Sequence, residues 1–113
     1  MSAARYNLVI DQGSDFAVSM VIKEDGTVKD LSGFSARAQM RSSKNTTSVA
    51  ATCTCTVESP PTAGTIVMSL NAATSSALTA GTFYYDMEVY TASDATVTRL
   101  IQGTVEVTRE ITR

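Results

Sequence analysis

Apolar and polar side chains alternate residue by residue along segment 81–90, Gly-Thr-Phe-Tyr-Tyr-Asp-Met-Glu-Val-Tyr. One parity holds an apolar set: Phe83, Tyr85, Met87 and Val89. The other parity holds a more polar set: Tyr84, Asp86, Glu88 and Tyr90. Because successive side chains of a strand point to opposite faces, the segment is predicted to be a half-buried strand. Aromatic side chains bury the largest apolar areas, so this aromatic-rich segment is predicted to be the central strand.

The same alternation recurs along the chain and predicts an all-β fold. The predicted strands are residues 5–10, 16–22, 34–41, 49–57, 66–70 and 97–107, with a short return at 28–31. Asp25-Gly26, between two apolar runs, predicts a tight hairpin. Gly103 interrupts the last strand, so a β-bulge is predicted there. Strands at this spacing predict one domain over residues 1–113, an Ig-like antiparallel β-sandwich of about seven strands.

Local signals add three expectations to this fold. Residues 71–78 are the single helical candidate: Asn71 is expected to cap a short turn, and Leu78 to hold it against the core. The threonine-rich outer face of segment 49–57 predicts an exposed or edge strand. The spacing from Leu78 through Gly81 to Tyr84 matches a tyrosine corner, whereas the parity of Tyr84 opposes it, and both interpretations remain open.

Composition and charge narrow the possible partners. The chain has 113 residues, 43% of them hydrophobic, and a net charge of −2. No basic block is present, so we expect no nucleic-acid partner. No apolar run approaches the ~20 residues that span a bilayer, so we expect no membrane partner. The N-terminal arm, residues 1–4, and the strand after it lack a signal-peptide hydrophobic region, which predicts synthesis and retention in a cytosol.

The polar residues do not form a pattern typical of catalysis. The chain contains no histidine, which excludes Ser-His and Cys-His nucleophile pairs. Asp11 and Asp15 flank a turn but lack the other ligands of a calcium loop. Asp86 and Glu88 share a strand face, where we expect solvated charges or partners for Arg37, Arg41 or Arg99. We therefore predict no catalytic, cofactor-binding or metal-binding residues, and a protein that is not an enzyme.

The two cysteines are separated by a single residue, as Cys53-Thr54-Cys55. Two same-face positions of a strand lie about 6.6 Å apart, with parallel side chains, which disfavours a disulfide between them. We expect buried, reduced thiols that pack as small hydrophobic groups. An intermolecular disulfide is the alternative.

Three parts of the sequence carry a family resemblance. They are residues 6–16 (YNLVIDQGSDF), residues 30–43 (DLSGFSARAQMRSS), and residues 80–89 (AGTFYYDMEV) followed by 98–109 (TRLIQGTVEVTR). Together they resemble small virion structural proteins of tailed bacteriophages, similar to the N-terminal β-sandwich domain of phage upper baseplate proteins. The resemblance implies a non-enzymatic virion subunit, made in the host cytoplasm. Its implied partners are other virion proteins, in multiple copies within a symmetric assembly.

The resemblance fits more than one role. A tail, baseplate or neck attachment protein is the first interpretation, and a capsid decoration protein is the alternative. A glycan-binding module, using Tyr84 and Tyr90 on the polar face, is the alternative of another class.

For an assembly protein, the N-terminal arm, residues 1–4, and the C-terminal tail, residues 108–113, both fit an interface, and the tail is the predicted one. Frayed termini without a binding role are the alternative. Ile111 would be its apolar anchor, flanked by Arg109 and Arg113. A chain ending at Val107 is then expected to fold normally but to fail to assemble.

Overall fold

The computed structural model describes residues 4–92 and 95–111. These ranges contain ten strands: β1 (Ala4–Arg5), β2 (Leu8–Asp11), β3 (Phe16–Val21), β4 (Lys23–Glu24), β5 (Thr27–Val28), β6 (Ser35–Arg41), β7 (Ala51–Val57), β8 (Thr65–Leu70), β9 (Gly81–Tyr90) and β10 (Val97–Thr108). They also contain one short helix, α1 (Ala72–Ser76), and a 3-10 turn at Pro61–Ala63. The predicted all-β class is confirmed. The predicted strand count is too low because the N-terminal strand is split and β4 and β5 form a separate ribbon.

Strand β9 is central to the main sheet. The strand order is β1-β10-β9-β6-β7-β8-β3, and β2 also pairs with β10. Strand β9 has antiparallel partners on both sides, β10 and β6. Both expectations for segment 81–90, a strand and a central one, are confirmed.

Strand β7 joins two layers of the sheet, one that contains β1, β2, β10, β9 and β6 and one that contains β8 and β3. Its first part, Ala51–Cys53, pairs with β6, whereas its second part, Thr54–Val57, pairs with β8. The sheet therefore curls over its own core. The threonines of β7 are exposed as predicted. The expectation of an edge strand is wrong, because β7 has a neighbour on each side.

The N-terminal strands run parallel to the C-terminal one. Ala4 lies opposite Ile101 in the β1–β10 pair, and Leu8 lies opposite Val105 in the β2–β10 pair. The prediction of a purely antiparallel sandwich is therefore wrong at this edge. The alternation of apolar residues predicts a strand but does not carry its direction.

The core lies between the curled layers. Met87 and Val89 of β9 are fully buried, and Phe83 and Tyr85 are nearly so. Other fully buried side chains come from the facing elements: Leu31, Ile66, Met68 and Val105. Since burial of one large apolar side chain stabilises the fold by about 1.5–3 kcal/mol, this set supplies a substantial part of the driving force. The predicted parity of β9 is confirmed.

The irregularity of β10 lies at Leu100 and not at Gly103. The pairing with β9 shifts between Arg99 and Ile101, and Leu100 and Ile101 are both buried. Gly103 pairs regularly with Tyr85. A Cβ atom at Gly103 would lie 2.3 Å from the carbonyl oxygen of Tyr6. The glycine therefore provides space for the chain between β1 and β2.

Tyr84 does not form the tyrosine corner that its spacing allows. The adjacent residue makes the cross-strand tie, because the Tyr85 hydroxyl donates a hydrogen bond to the Tyr6 carbonyl. Of the two open interpretations, the one from parity, which predicts Tyr84 on the outer face, is confirmed.

The predicted local signals at the hairpin and the helix are confirmed. Asp25 and Gly26 both have positive φ, 53° and 79°, and join β4 to β5. The Asn71 side chain accepts a hydrogen bond from the Thr74 N–H at 2.8 Å, and Leu78 is buried. Neither α1 nor any other helix within residues 4–92 and 95–111 is long and apolar enough to cross a membrane.

Candidate functional site

The polar residues of β9 form the middle row of an outer face. In the neighbouring strand β6, Arg41 lies opposite Tyr84, and Gln39 lies opposite Asp86. In β10, Thr104 and Gln102 lie opposite the same two β9 residues. Strand pairing thus brings polar groups from sequence-distant segments to one surface. No local motif encodes this arrangement.

A concave site of about 420 Å³ lies on this surface, and we call it the outer-face groove. Its walls come from β1, β6, β9, β10 and the loop that follows β6. It is lined by Arg5, Gln39, Arg41, Ser43, Lys44, Tyr84, Tyr85, Asp86, Arg99, Gln102, Gly103 and Thr104. Its volume falls within the range of small-molecule sites.

The outer-face groove is rich in positive charge. Four of its side chains are cationic, those of Arg5, Arg41, Lys44 and Arg99, and only Asp86 is anionic. Asp86 is already paired, since its Oδ2 lies 3.2 Å from Arg99 Nε. The whole chain carries a net charge of −2, so the groove is a positively charged region on a protein whose net charge is negative.

Arg41 holds the loop after β6 in place through hydrogen bonds to uncharged groups. Its Nη1 donates to the Thr47 carbonyl, and its Nη2 donates to Gln39 Oε1 at 3.0 Å. Both acceptors are neutral. The same loop carries Lys44, whose Nζ lies 5.5 Å from the centroid of the Tyr84 ring.

The second tyrosine of the polar face lies elsewhere. Tyr90 is six positions from Tyr84 on the same strand, a separation of about 20 Å, and it does not line the groove. The Arg37 guanidinium lies 4.3 Å from the centroid of its ring and donates to Glu88 at 2.5 Å. The structure therefore does not bring the two tyrosines together as one platform. The arginine partners predicted for Asp86 and Glu88 are confirmed.

The turn with Asp11 and Asp15 has a structural role. Asp11 Oδ1 accepts a hydrogen bond from the Thr108 hydroxyl at 2.8 Å, and Asp15 Oδ1 accepts one from the Ala72 N–H at 2.7 Å. These contacts fix the C-terminal strand and the start of α1. In the part of the chain that the structure describes, no group of three His, Cys, Asp or Glu residues is placed to hold a metal ion.

Both cysteines are reduced. Cys53 is buried and Cys55 is half-buried on the inner side of β7. Burial raises the pKa of the Cys53 thiol to about 12, with a smaller contribution from Cys55, and burial raises the pKa of Cys55 to about 11. Since the thiolate is the nucleophile, these thiols are unreactive at neutral pH. The expectation of thiols packed as small hydrophobic groups is confirmed, and the intermolecular disulfide stays a prediction.

The predicted interface tail is described only in part. Arg109 is exposed, and the Ile111 side chain is 90% exposed. Between them, the Glu110 N–H donates to Gln12 Oε1 at 3.0 Å, which holds the tail to the turn after β2. Arg113, the third predicted interface residue, lies outside the described residues.

A family model assigns the fold. The model described as "LtfC-like, beta-sandwich domain" matches residues 2–108. The chain belongs to this LtfC-like family. Its membership agrees with the sandwich predicted from the strand pattern.

One solved structure with a similar fold is the crystal structure of InlP from Listeria monocytogenes, with 13% sequence identity and a TM-score of 0.50. The alignment covers 94% of this LtfC-like chain and 28% of InlP, so the similarity shows the fold alone. The comparison with curated proteins found no match.

Proposed function

We propose that this LtfC-like domain is a non-enzymatic structural subunit of a tailed-phage virion. It acts through protein–protein contacts as a tail, baseplate or neck attachment protein. The sequence resemblance to phage β-sandwich domains supports the virion setting and the Ig-like topology that goes with it. The observation that carries the assembly role is the open edge of β3.

Strand β3 ends the main sheet. Among the described strands it pairs only with β8. The Ile22 N–H donates to the Gly64 carbonyl at 2.7 Å, next to this ladder, so residue 22 and alternate residues before it bond towards β8. The N–H and carbonyl groups of Ala17, Ser19 and Val21 then point away from β8. They form a row of donors and acceptors to which another strand can be added.

The composition of β3 does not protect this edge. Its sequence, Phe-Ala-Val-Ser-Met-Val, contains no charged residue and no proline, the two features that commonly block strand addition. Val21 is 55% exposed on its outer face. An uncharged edge with an exposed valine favours contact with a neighbouring protein.

The test of the virion setting is direct. Mass spectrometry of purified particles from the phage that encodes the chain is expected to detect it in a fixed copy number. Imaging of those particles with a tagged chain is expected to place it in the tail, baseplate or neck. Labelling over the whole capsid surface would instead establish the alternative of a decoration protein. Absence from the particles would refute the virion role.

The proposed contact at the β3 edge is tested with two double variants that each add two positive charges. An Ala17→Lys/Val21→Lys double variant places two charges along β3, whereas Thr52→Lys/Thr54→Lys places two on the exposed face of the interior strand β7. We expect both variants to keep their melting temperatures. Only the β3 variant is expected to be missing from particles. Equal incorporation of both would exclude β3 as the assembly edge.

A further inference from the structure

The outer-face groove has the chemistry of a ligand site that assembly through β3 does not require. Arg5, Arg41 and Lys44 contribute positive charges that no carboxylate of the groove neutralises, since its one acid, Asp86, is paired with Arg99. Positive charges gathered in a concave site attract an anion. The ligand must therefore carry negative charge.

The uncharged side chains of the groove narrow the ligand class. Gln39, Gln102 and Thr104 provide amide and hydroxyl groups, which donate and accept hydrogen bonds. Tyr84 adds the side of an aromatic ring, a surface that suits the C–H groups of a sugar. A ligand that uses all of these groups carries several hydroxyls, one apolar face and an acidic group.

The size and surroundings of the groove disfavour a long polyanion. Its volume of about 420 Å³ limits the size of a ligand. The whole chain has a net charge of −2 despite the cations of the groove, so the surface outside the groove is acidic and repels an extended phosphate backbone. We infer that the outer-face groove binds an acidic saccharide, one to a few sugar units with a carboxylate or sulfate held by Arg5, Arg41 and Lys44.

The two parts of this site come from different segments. Arg5 lies on β1 opposite Gln102, beside the edge of the sheet. Lys44 lies on the loop that Arg41 holds through the Thr47 carbonyl. The acidic group would then sit between the N-terminal strand and this loop, with the sugar ring against Tyr84 and its hydroxyls towards Gln39 and Gln102.

The experiment uses an array of uronic, sialic and sulfated oligosaccharides, each printed beside its neutral parent. We expect selective binding of at least one acidic saccharide, with its neutral parent about tenfold weaker or more, since a hydrogen bond to a charged group contributes about a factor of ten. The selected saccharide is then measured by calorimetry at about 0.05 M and about 0.5 M salt, where screening is expected to weaken it.

Two double variants distinguish binding in the groove from a general effect of positive charge on the protein. Arg5→Gln/Lys44→Gln removes two cations whose side chains donate no hydrogen bond within the described residues, and is expected to weaken binding about tenfold or more at an unchanged melting temperature. Lys23→Gln/Lys29→Gln removes one cation of β4 and one that directly follows β5, both outside the groove, and is expected to leave affinity unchanged. Equal loss in both double variants would overturn the proposal.

Two further outcomes would also overturn it. One is the absence of binding across all the acidic saccharides of the array. The other is binding of an oligoglutamate peptide or inorganic phosphate in place of any saccharide, which would assign the groove to a different anion. No residue of β3 lines the groove, so the Ala17→Lys/Val21→Lys variant is expected to bind saccharide normally. Failure of either proposal therefore leaves the other intact.

Discussion

The Tyr85 hydroxyl donates a hydrogen bond to the main-chain carbonyl of Tyr6, and so ties the central strand β9 to the N-terminal segment. The two residues are on opposite sides of β10, at the position where Gly103 leaves space for the Tyr6 carbonyl. Burial raises the pKa of the Tyr85 hydroxyl, with a smaller contribution from Tyr6, so it remains a donor across the physiological pH range. This hydrogen bond adds to the parallel ladders that hold β1 and β2 against β10.

Removal of this hydroxyl is expected to destabilise the fold. Tyr85→Phe leaves a partly buried carbonyl without that donor, which costs about 1–2 kcal/mol. For a domain of this size we expect the melting temperature to fall by about 5 °C. Tyr84→Phe is the matched control, because its hydroxyl faces outward and makes no hydrogen bond within the part of the chain that the structure describes. Equal melting temperatures for the two variants would argue against the tie.

Gly103→Ala is expected to displace the N-terminal segment. Its Cβ would lie 2.3 Å from the Tyr6 oxygen and 2.8 Å from the Tyr6 carbonyl carbon, and both are backbone atoms that cannot rotate away. We expect a loss of about 2 kcal/mol in the free energy of unfolding, measured by urea denaturation. In a chain that begins at Leu8 the substitution is expected to have almost no effect. A full loss in the shortened chain would show that the clash lies elsewhere.

Segments with strict alternation were predicted well from sequence. Along β9 a side chain's parity alone decides its burial, so Met87 and Glu88 fall on their expected faces. The Asp25-Gly26 turn was equally predictable from the sequence, because few residue pairs accept positive φ at both positions. These features depend on local geometry.

Features that depend on strand pairing were not predicted. The adjacent apolar residues Leu100 and Ile101 contain a signal for the bulge, whereas the prediction at Gly103 was based on the presence of a glycine in the strand. The outer-face groove had no local signal, because Arg5 and Lys44 meet there only through the register of four strands. The parallel pairing of β1 with β10 spans nearly the whole chain, and periodicity does not encode such a contact.

The register of β9 gives a further test. Met87→Asp places an unpaired carboxylate at a fully buried position, and is expected to cost more than about 4 kcal/mol and abolish folding. Thr54→Asp introduces the same charge on the exposed face of β7 and is expected to shift the free energy of unfolding by less than about 0.5 kcal/mol. Circular dichroism and thermal melts distinguish the two. A folded Met87→Asp protein would place the core on the other face.

The two thiols predict a loss of stability at alkaline pH. Their pKa values are raised by burial from an ordinary value of 9.0, to about 12 for Cys53 and about 11 for Cys55. Because the folded state keeps protons that the unfolded state releases, this stability is fully present below about pH 9. It is lost progressively as the pH rises from about 9 towards the two raised values.

At about pH 10 we expect a loss of roughly 1 kcal/mol from Cys53 and a smaller loss from the more exposed Cys55. Urea denaturation of the native chain and of a Cys53→Ala/Cys55→Ala variant, each at neutral and alkaline pH, isolates this contribution from other titrating groups. Identical pH dependence in both chains would contradict it.

The last strand ends one residue later than the sequence pattern indicated, and this changes where the tail should be cut. Thr108 belongs to β10, its hydroxyl donates to Asp11, and its carbonyl accepts the Gln12 N–H at 3.0 Å. Glu110 adds the bond to Gln12 Oε1, while the Gln12 amide donates to the Leu78 carbonyl at 2.7 Å. A chain ending at Val107 is therefore expected to lose about 2 kcal/mol of stability.

A cut after Glu110 separates folding from docking. It keeps the hydrogen bonds of Thr108 and Glu110 and removes Ile111, whose side chain is 90% exposed, with the two residues beyond it. If Ile111 anchors the tail on a neighbouring subunit, this chain keeps its melting temperature but is absent from particles, and Ile111→Ser has the same defect. Ile111→Leu preserves the apolar surface and is expected to be incorporated normally. Normal incorporation of the Ile111→Ser chain would instead leave the β3 edge as the proposed contact.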